Sequence, residues 1–336
     1  MVHFDHMEQI MHIAKQKKVL DIRWALLRAT REFFWKQNFF EVETPQLLAF
    51  PGQDPYLTPM GVSVANEHGE QKKYYLHTSP EYSMKKMLAA GYSRIFSLGK
   101  CFRNNESFGG LHNPEFTMLE WYETESNMFT IMQRVEDFFD YVYEQLGEKY
   151  QLKKINIRRM HMNDLWQDVL GVSLEQYLDQ TSLFHLCKER GYFVSADEQY
   201  ENLFYHIFLH EIEPALEKMG AVIVHHYPAQ MASLSQLSQT DTRYAERFEL
   251  YIDGIELANA FTELTDEREQ KKRLEKEQSY RKDQGQEVFG IDYEFLAAVK
   301  GMPPSAGIAL GFDRLVQVLL NCKNINDVLV LPMKYM

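Results

Sequence analysis

Two glutamates flank an Asp-Gly pair within a stretch of alternating polar and apolar residues. Asp253-Gly254 between such runs is a strong signal for a two-residue β-hairpin turn. If the strands pair directly across it, Glu249 and Glu256 are diagonal neighbours on one face, roughly 7 to 8 Å apart at Cα. Carboxylates at that separation suit Mg²⁺, which takes one or two of them plus phosphate oxygens. The open alternative is two solvated glutamates on the outer face of the hairpin.

The second strand of this hairpin carries polar residues of the opposite parity. With undisturbed pairing Glu249 faces Ala258, and Asn259 and Glu263 point away from the face that holds Glu256. A β-bulge, or an end of the strand near Ala258, would bring Glu256 and Glu263 into one site. The sequence leaves this open.

A second group of residues surrounds an arginine at the end of a predicted strand. An arginine fixed on a strand can make two hydrogen bonds to a phosphate, and a phenylalanine beside it offers a stacking surface for a base. Taken singly, Arg103 is more often a surface charge and Phe116 a core residue. The group consists of Arg103, Asn104, Asn105 and Glu106, and of His112, Asn113 and Phe116 before and in the next strand.

Near the C-terminal end, a turn with glycines leads into a predicted helix. Gly311 allows close approach of the backbone, and Arg314 lies at the helix start, where phosphate binding is favoured. The alternative is an ordinary strand-to-helix turn, with Asp313 as the cap and Arg314 exposed.

Two further acids have ordinary explanations when considered alone. Glu81 follows Ser79 and Pro80 in the first turn of a helix, where the helix dipole favours any acid, and Glu263 could lie on the surface. If both line one pocket, each can pair with an amino group. A substrate with two amines would then be recognised at both ends.

Hydrophobic periodicity predicts the elements that position these residues. The predicted helices cover about 6–37, a segment starting at 79–80, 127–146 and 266–282, and the predicted strands cover 39–44, 74–77, 94–102, 115–122 and 221–225, with a last strand and helix around Gly311. Residues 155–219 show short helical patterns and are interpreted as a helical elaboration. Strands and helices do not alternate regularly, which predicts an α+β fold with a mostly antiparallel sheet.

The composition is that of an ordinary globular protein. Of 336 residues 45% are hydrophobic, and the formal net charge of -12 argues against broad binding of nucleic acid phosphates. The cysteines Cys101, Cys187 and Cys322 lack metal or redox spacing and are typical of reduced thiols. A leader and a run of about 18 apolar residues are both missing, so we expect a cytoplasmic protein without membrane association.

Several of these segments resemble the signature motifs of class II aminoacyl-tRNA synthetases: Pro45, Arg103 and residues 311–314. The strings 78–81, 112–120 and 256–264 are similar to those of lysyl-tRNA synthetase. The similarity begins near Asp21 and covers only the catalytic domain, so we expect one catalytic domain over 1–336 and no anticodon-binding domain. This combination resembles the stand-alone lysyl-tRNA synthetase paralogues that modify elongation factor P.

The resemblance implies a role for each motif residue. Arg103 would hold the α-phosphate and Arg314 the γ-phosphate as the catalytic residues, while Phe116 would stack on adenine. The ATP site would also include Asn104, Asn105, Glu106, His112, Asn113, Glu256, Leu257 and Gly311, and Mg²⁺ would be held by Glu249 and Glu256. Lysine would be bound by Glu81 at the amino group near the carboxylate and by Tyr122 and Glu263 at the ε-ammonium, with Ser79, Pro80, Asn259 and Ala309 nearby.

The same resemblance implies an ATP-dependent ligase acting as a homodimer. (R)-β-lysine or lysine would become an aminoacyl-adenylate and pass to a lysine ε-amine of elongation factor P, without stable tRNA binding. The alternatives are transfer to tRNA or another amine acceptor, and a non-catalytic regulatory paralogue. Either Asn105 or Glu106 fills the glutamate position of the second motif, and Leu111 replaces a basic residue. Ala309 stands where lysyl-tRNA synthetase has glycine, a change that could alter the preferred lysine isomer.

Overall fold

The computed structural model describes residues 7–336, so His6, the predicted start of the first helix, lies outside the described residues. The strands are β1 Phe40–Glu41, β2 Leu47–Leu48, β3 Met60–Ala65, β4 Gln71–Leu76, β5 Arg94–Phe102, β6 Glu115–Thr124, β7 Ile157–His161, β8 Ala221–Pro228, β9 Tyr244–Ile252, β10 Ile255–Thr262 and β11 Ser305–Gly311. The helices are α1 Glu8–Lys36, α2 Glu81–Ala89, α3 Met128–Tyr150, α4 Met162–Leu170, α5 Gln180–Glu189, α6 Tyr200–Ile207, α7 Glu213–Met219, α8 Glu267–Asp283, α9 Tyr293–Gly301 and α10 Phe312–Leu319.

An eight-stranded sheet forms the centre of the fold. Its strand order is β1-β5-β6-β11-β10-β9-β8-β7, and all neighbours are antiparallel except the parallel pairs at the two edges, β1 with β5 and β7 with β8. A separate antiparallel sheet has the order β2-β4-β3. The predicted α+β class with a mostly antiparallel sheet is confirmed.

The main core lies between one face of the large sheet and helices α1 and α3. Phe34 of α1 stacks on Phe96 of β5 with ring centroids 4.8 Å apart, and Trp121 of β6 is fully buried beside them. Helix α3 is capped by Asn127, whose side chain accepts hydrogen bonds from the backbone N–H of Phe129 and Thr130. These helices cover one face, so the site is built on the other.

Residues 155–219 contain more than the predicted helices. Strand β7 pairs in parallel with β8 and extends the large sheet at its edge, and its sequence Ile-Arg-Arg-Met-His lacks the alternation that would have indicated a strand. Helices α4 to α7 bury their own apolar cluster, which includes Trp166, Phe204 and Phe208, against the outer strands of the sheet.

Most predicted elements are found, with small shifts at their ends. The predicted strand at 39–44 is reduced to Phe40–Glu41. Helix α2 begins at Glu81, one residue later than predicted, although the Ser79 hydroxyl does accept a hydrogen bond from the Glu81 N–H. All three cysteines are free thiols. None of the helices in residues 7–336 is long and apolar enough to cross a membrane.

Candidate active site

A cavity of about 360 Å³ opens over the sheet face that α1 and α3 leave free. Strands β6, β10 and β11 form its floor, and the loop after β2 together with the starts of α2 and α10 supplies part of its walls. It brings together most of the residues that the motifs predict: Ser79, Glu81, Arg103, Glu106, His112, Asn113, Phe116, Tyr122, Glu256, Leu257, Asn259, Ala309, Gly311 and Arg314.

The floor consists of rows of side chains that run across three strands. In one row Asn259, Ala309 and Glu120 are direct neighbours on β10, β11 and β6. Directly opposite residues of paired strands point to the same face, so the three side chains share this face of the sheet. In the next row Gly307 separates Phe261 from Tyr122.

Three carboxyl groups lie near one end of the cavity, and two of them contact one buried ammonium group. The Lys85 Nζ atom lies 2.6 Å from Glu81 Oε1 and 2.6 Å from Glu263 Oε2. Lys85 and Glu81 are four residues apart on α2 and therefore share a helix face. Burial lowers the pKa of Lys85, but the charges of Glu263 and Glu81 outweigh it and raise the pKa overall. Lys85 is therefore a permanent cation of this cluster.

The third carboxylate, Glu120, has no cation of its own among residues 7–336. Its side chain is fully buried, and it accepts hydrogen bonds from the Ser79 hydroxyl at 2.7 Å and the Tyr122 hydroxyl at 3.3 Å. Burial, followed by the charge of Glu81, raises the pKa of Glu120 to about 8. With all three acids ionised and one lysine present, the cluster lacks positive charge.

Glu263 is not in the cavity lining but lies directly behind it. It is 1% exposed, burial raises its pKa to about 7, and its Oε1 atom has no hydrogen-bond partner in the described part of the chain. A Cβ atom added at Gly307 would lie 2.9 Å from Glu263 Oε1 and 2.2 Å from the Tyr122 ring. Glycine at 307 therefore leaves the space into which both side chains project.

The other end of the cavity carries the two predicted phosphate-binding arginines. The Arg103 guanidinium lies over the Phe116 ring, 5.0 Å from its centroid, and its Nε atom is buried without an acceptor among residues 7–336. Arg314 donates hydrogen bonds to the Glu256 carbonyl oxygen at 2.6 Å and the Leu111 carbonyl oxygen at 3.3 Å. A guanidinium held by backbone oxygens keeps one orientation, which suits recognition of a phosphate.

The turn that precedes Arg314 is not the ordinary strand-to-helix turn in which Asp313 caps the helix. Asp313 does not cap α10, because its carboxylate accepts the Thr117 N–H at 2.8 Å and forms a buried ion pair with Arg23 at 2.6 Å. Arg314 also contacts His112, with 2.9 Å between Nη2 and Nε2. Burial and the nearby Arg314 lower the pKa of His112.

A β-bulge in β10 settles the parity question of the hairpin. Glu256 pairs with Tyr251 as expected, but the register shifts between Glu256 and Ala258, so Glu249 pairs with Asn259 instead of Ala258. The predicted opposition of Glu249 and Ala258 is wrong. One extra residue restores parity, so Glu256 and Asn259 lie on the same face.

The predicted metal ligands have different surroundings. Glu256 lines the cavity, and its carboxylate lies 3.9 Å from Arg314 Nη1. Glu249 is outside the lining, and its oxygens accept hydrogen bonds from Tyr227 at 2.6 Å, Tyr251 at 2.5 Å and Arg247 at 2.5 Å. Within residues 7–336, no group of three or more metal-ligating side chains is arranged to hold an ion. Of the two predicted metal ligands, Glu256 is the one that lines the cavity.

Three other predicted site residues lie outside the cavity lining, whereas their neighbour Glu106 lies within it. Pro80, Asn104 and Asn105 are not in the lining, and Asn105 has a left-handed backbone with φ of 62° and points its amide towards Thr58. Glu106 lines the cavity, with Oε2 3.8 Å from His112 Nε2. This favours Glu106 for the glutamate position of the second motif.

Sequence reasoning missed residues that the structure places in or around the cavity. Lys85 was detectable, because it follows Glu81 by four residues on the predicted helix. Glu120 lies within the motif-like string 112–120 but was given no role. Gln53, Asp54 and Glu277 also line the cavity, and nothing in their local pattern marks them.

Comparisons with known proteins agree with this geometry. A family model described as class II tRNA synthetases (D, K and N) matches residues 6–335. The chain belongs to this family. It is 35% identical over 329 residues to a protein of Haemophilus influenzae (strain PittGG), covering 97% of this chain and 96% of the relative. It is 36% identical over 315 residues to one of Mannheimia succiniciproducens, covering 93% and 94%.

A third relative, from Pseudoalteromonas translucida, is 37% identical over 311 residues, covering 91% of this chain and 93% of the relative. All three relatives carry the name elongation factor P--(R)-beta-lysine ligase. The resemblance to the family of stand-alone synthetase paralogues, predicted from the motifs, is confirmed.

Proposed function

We propose that this protein activates (R)-β-lysine or lysine with ATP and transfers it to a lysine ε-amine of elongation factor P. The observation that carries the proposal is that the cluster of Glu81, Glu120 and Glu263 holds three carboxyl groups but only one lysine, Lys85. Buried carboxylates are stable only when paired or protonated. An amino acid with two ammonium groups supplies the missing cations.

The amino-acid carboxylate would then extend towards the two arginines. One of its oxygens attacks the α-phosphorus of ATP, and pyrophosphate leaves. Arg103 at the α-phosphate and Arg314 at the γ-phosphate stabilise the developing charge, and the Phe116 ring stacks on adenine. Catalysis of this step rests on positioning and electrostatics.

Glu256 is the side chain that supports a Mg²⁺ site, because its carboxylate is open to the cavity beside Arg314. Mg²⁺ needs only one or two carboxylates when phosphate oxygens complete its shell, and it supplies positive charge to the phosphates when bound. Glu249, hydrogen-bonded to Tyr227 and Tyr251, would bind the ion only by giving up one of these donors.

Exchange of labelled pyrophosphate into ATP tests the activation step. We expect exchange that depends on (R)-β-lysine or lysine and on added Mg²⁺. An acceptor assay with labelled amino acid, elongation factor P and tRNA tests the transfer. Absence of exchange with either amino acid would overturn the enzyme assignment, and label on tRNA but not on elongation factor P would overturn the acceptor assignment.

The proposed enzyme is a cytoplasmic homodimer that associates through the first helix and strand. Trp24 and Trp35 of α1 and Phe40 of β1 are 52%, 51% and 62% exposed, so these two elements present large apolar side chains to a partner. Light scattering after size-exclusion chromatography should give twice the chain mass for the native protein and a monomer for Trp24→Glu. Tyr293→Glu, at an exposed aromatic on α9, is the matched control.

A further inference from the structure

Lys85 joins two of the carboxylates that the proposed function assigns to the ammonium groups of the amino acid. Its Nζ atom lies 2.6 Å from Glu81 Oε1 and 2.6 Å from Glu263 Oε2. The pairing with Glu81 is local, four residues apart on α2, whereas Glu263 follows β10 and is distant in the chain. One cation shared by both acids limits their separation, because the two bound oxygens cannot lie farther apart than the two hydrogen-bond lengths taken together.

The backbone at each of the two acids is held in place. The Glu81 N–H donates a hydrogen bond to the Ser79 hydroxyl at 3.0 Å, at the start of α2. The Glu263 N–H donates to the Ser305 carbonyl oxygen on β11 at 2.9 Å. What remains to be fixed is the orientation of the two acidic side chains, and Lys85 contacts both of them.

Lys85 itself has little freedom to move. Its side chain is 2% exposed, and its neighbours on the same helix, Met84 and Leu88, are fully buried. A buried ammonium group is stable only while its carboxylate partners stay within reach. The bridge between the two acids is therefore a fixed part of the site.

The bridge leaves one oxygen of Glu263 for a ligand. Lys85 binds Oε2, and the buried Oε1 atom has no donor in residues 7–336. A Cβ atom added at Gly307 would lie 2.9 Å from Oε1, so this oxygen borders the space that the glycine leaves open. Glu81 lines the cavity, and its side chain is 19% exposed. Both acids can accept a second cation while Lys85 stays in place.

We propose that Lys85 is a positioning residue that determines specificity: it sets the distance between the ammonium-binding oxygens of Glu81 and Glu263, and thereby the length of the diamino acid that is activated. The inference rests on the proposed function. A lysine that only neutralised a buried acid would need one partner, and Glu81 on the same helix would supply it. The second ion pair, to Glu263, joins two elements and fixes a length.

The homologues of lysine measure this length in pyrophosphate exchange. Ornithine is one methylene shorter and homolysine one methylene longer, and a pocket discriminates such changes by about 10- to 200-fold. We expect Lys85→Met to lower the ratio of kcat/KM for lysine over ornithine by about tenfold, because the two carboxylates are no longer tied together. We expect Lys85→Arg to raise kcat/KM for homolysine relative to lysine by about tenfold, because the planar guanidinium is wider than an ammonium group and holds the acids farther apart.

Lys86→Met is the matched control for these variants. Lys86 is the next residue of the same helix, and it forms an ion pair of the same length, 2.6 Å, with Asp292, which lies outside the cavity lining. Its loss should leave both ratios at their native values. Thermal unfolding reports whether each variant folds, and Lys85→Arg, which keeps the buried charge, decides the question if Lys85→Met does not fold.

Either ratio unchanged in its folded variant would overturn the role of Lys85. This includes an equal fall of kcat/KM for all three amino acids, since a counterion needed only for folding would act in that way. Equal kcat/KM values for the three amino acids in the native enzyme would overturn it as well. Absence of exchange by the native enzyme with both lysine and (R)-β-lysine would instead overturn the proposed function.

Discussion

The two carboxylate oxygens of Glu263 have different surroundings, because only one of them forms an ion pair. Lys85 lies 2.6 Å from Oε2, whereas no donor in the described part of the chain reaches the buried Oε1 atom. We expect Glu263→Gln to raise the KM for the amino acid in pyrophosphate exchange by about 10- to 100-fold, because a charged hydrogen bond is worth about 1.5–3 kcal/mol. The KM for ATP should change little.

The matched control for this substitution is Glu267→Gln at the start of α8, where the side chain is 40% exposed and does not line the cavity. It should leave both KM values at their native level. Equal increases of both KM values in Glu263→Gln would show that the substitution disturbs the whole site, and an unchanged amino-acid KM would remove Glu263 from the ammonium-binding role.

Gly307 is the residue at which one added methyl group should be most damaging. An alanine Cβ would lie 2.2 Å from the Tyr122 ring on the neighbouring strand, closer than any real contact. We expect Gly307→Ala to displace the ring, to raise the amino-acid KM at least about tenfold and to lower the free energy of unfolding by about 1–3 kcal/mol.

Gly99→Ala on β5 provides the comparison, because the nearest atom to its added Cβ is 3.9 Å away. Both parameters should stay close to native there. If Gly307→Ala kept the native amino-acid KM, the cavity would tolerate movement of Tyr122, and this ring would not define the binding pocket.

At the scale of elements, the sequence predicts the hairpin but not its exact register. Asp253-Gly254 marks the turn because both residues readily adopt positive φ, and they have φ values of 51° and 77°. The bulge between Glu256 and Ala258 has no comparable signal, because its energy depends on what the neighbouring strands pack against. Parity within the site could therefore not be predicted.

Helix α8 offers a test of an element whose start was predicted by its charge pattern. The Asp266 side chain accepts hydrogen bonds from the N–H groups of Arg268 and Glu269. We expect Asp266→Ala to lower the free energy of unfolding by about 1 kcal/mol in urea titrations. Asp266→Asn should retain most of this energy. Equal losses in both variants would assign the effect to the charge and the helix dipole.

On the scale of the whole molecule, the cluster of Glu81, Glu120 and Glu263 joins α2, β6 and the end of β10. It predicts that binding of the amino acid changes the number of protons on the protein. In the empty enzyme at pH 7, Glu120 with a pKa of about 8 is mostly protonated and Glu263 with a pKa of about 7 is partly so. An incoming ammonium favours the ionised forms. Amino-acid binding should therefore release protons at pH 7 and cease to do so above both pKa values.

Calorimetry in buffers of different ionisation enthalpy measures this release directly. Glu120→Gln should remove most of it. Proton uptake on binding, or a release that Glu120→Gln leaves intact, would contradict the assignment. The same raised pKa makes burial of Glu120 costly in the free protein as pH rises from about 4.3 towards 8, because the unfolded carboxyl ionises first.

Much of the molecule was accessible from its sequence because local and global signals agree. Caps such as Asn127 and the apolar stripes of α1 and α3 define elements that also pack together. Long-range pairings are different. Lys85 with Glu263, and Gln53 with the backbone at Gly290, join segments more than 150 residues apart, and no local pattern encodes them.

The excess of carboxyl groups around Lys85 also bears on how much folded protein a cell contains. A ligand that binds only the folded chain stabilises it by mass action, by about 2.7 kcal/mol at a concentration of 100 times its Kd. The amino acid of the proposed reaction, bound against the buried carboxylates, would be such a ligand. Starvation for that amino acid would therefore leave more of the chain unfolded and open to proteolysis, so the abundance of the protein would follow the availability of its own substrate.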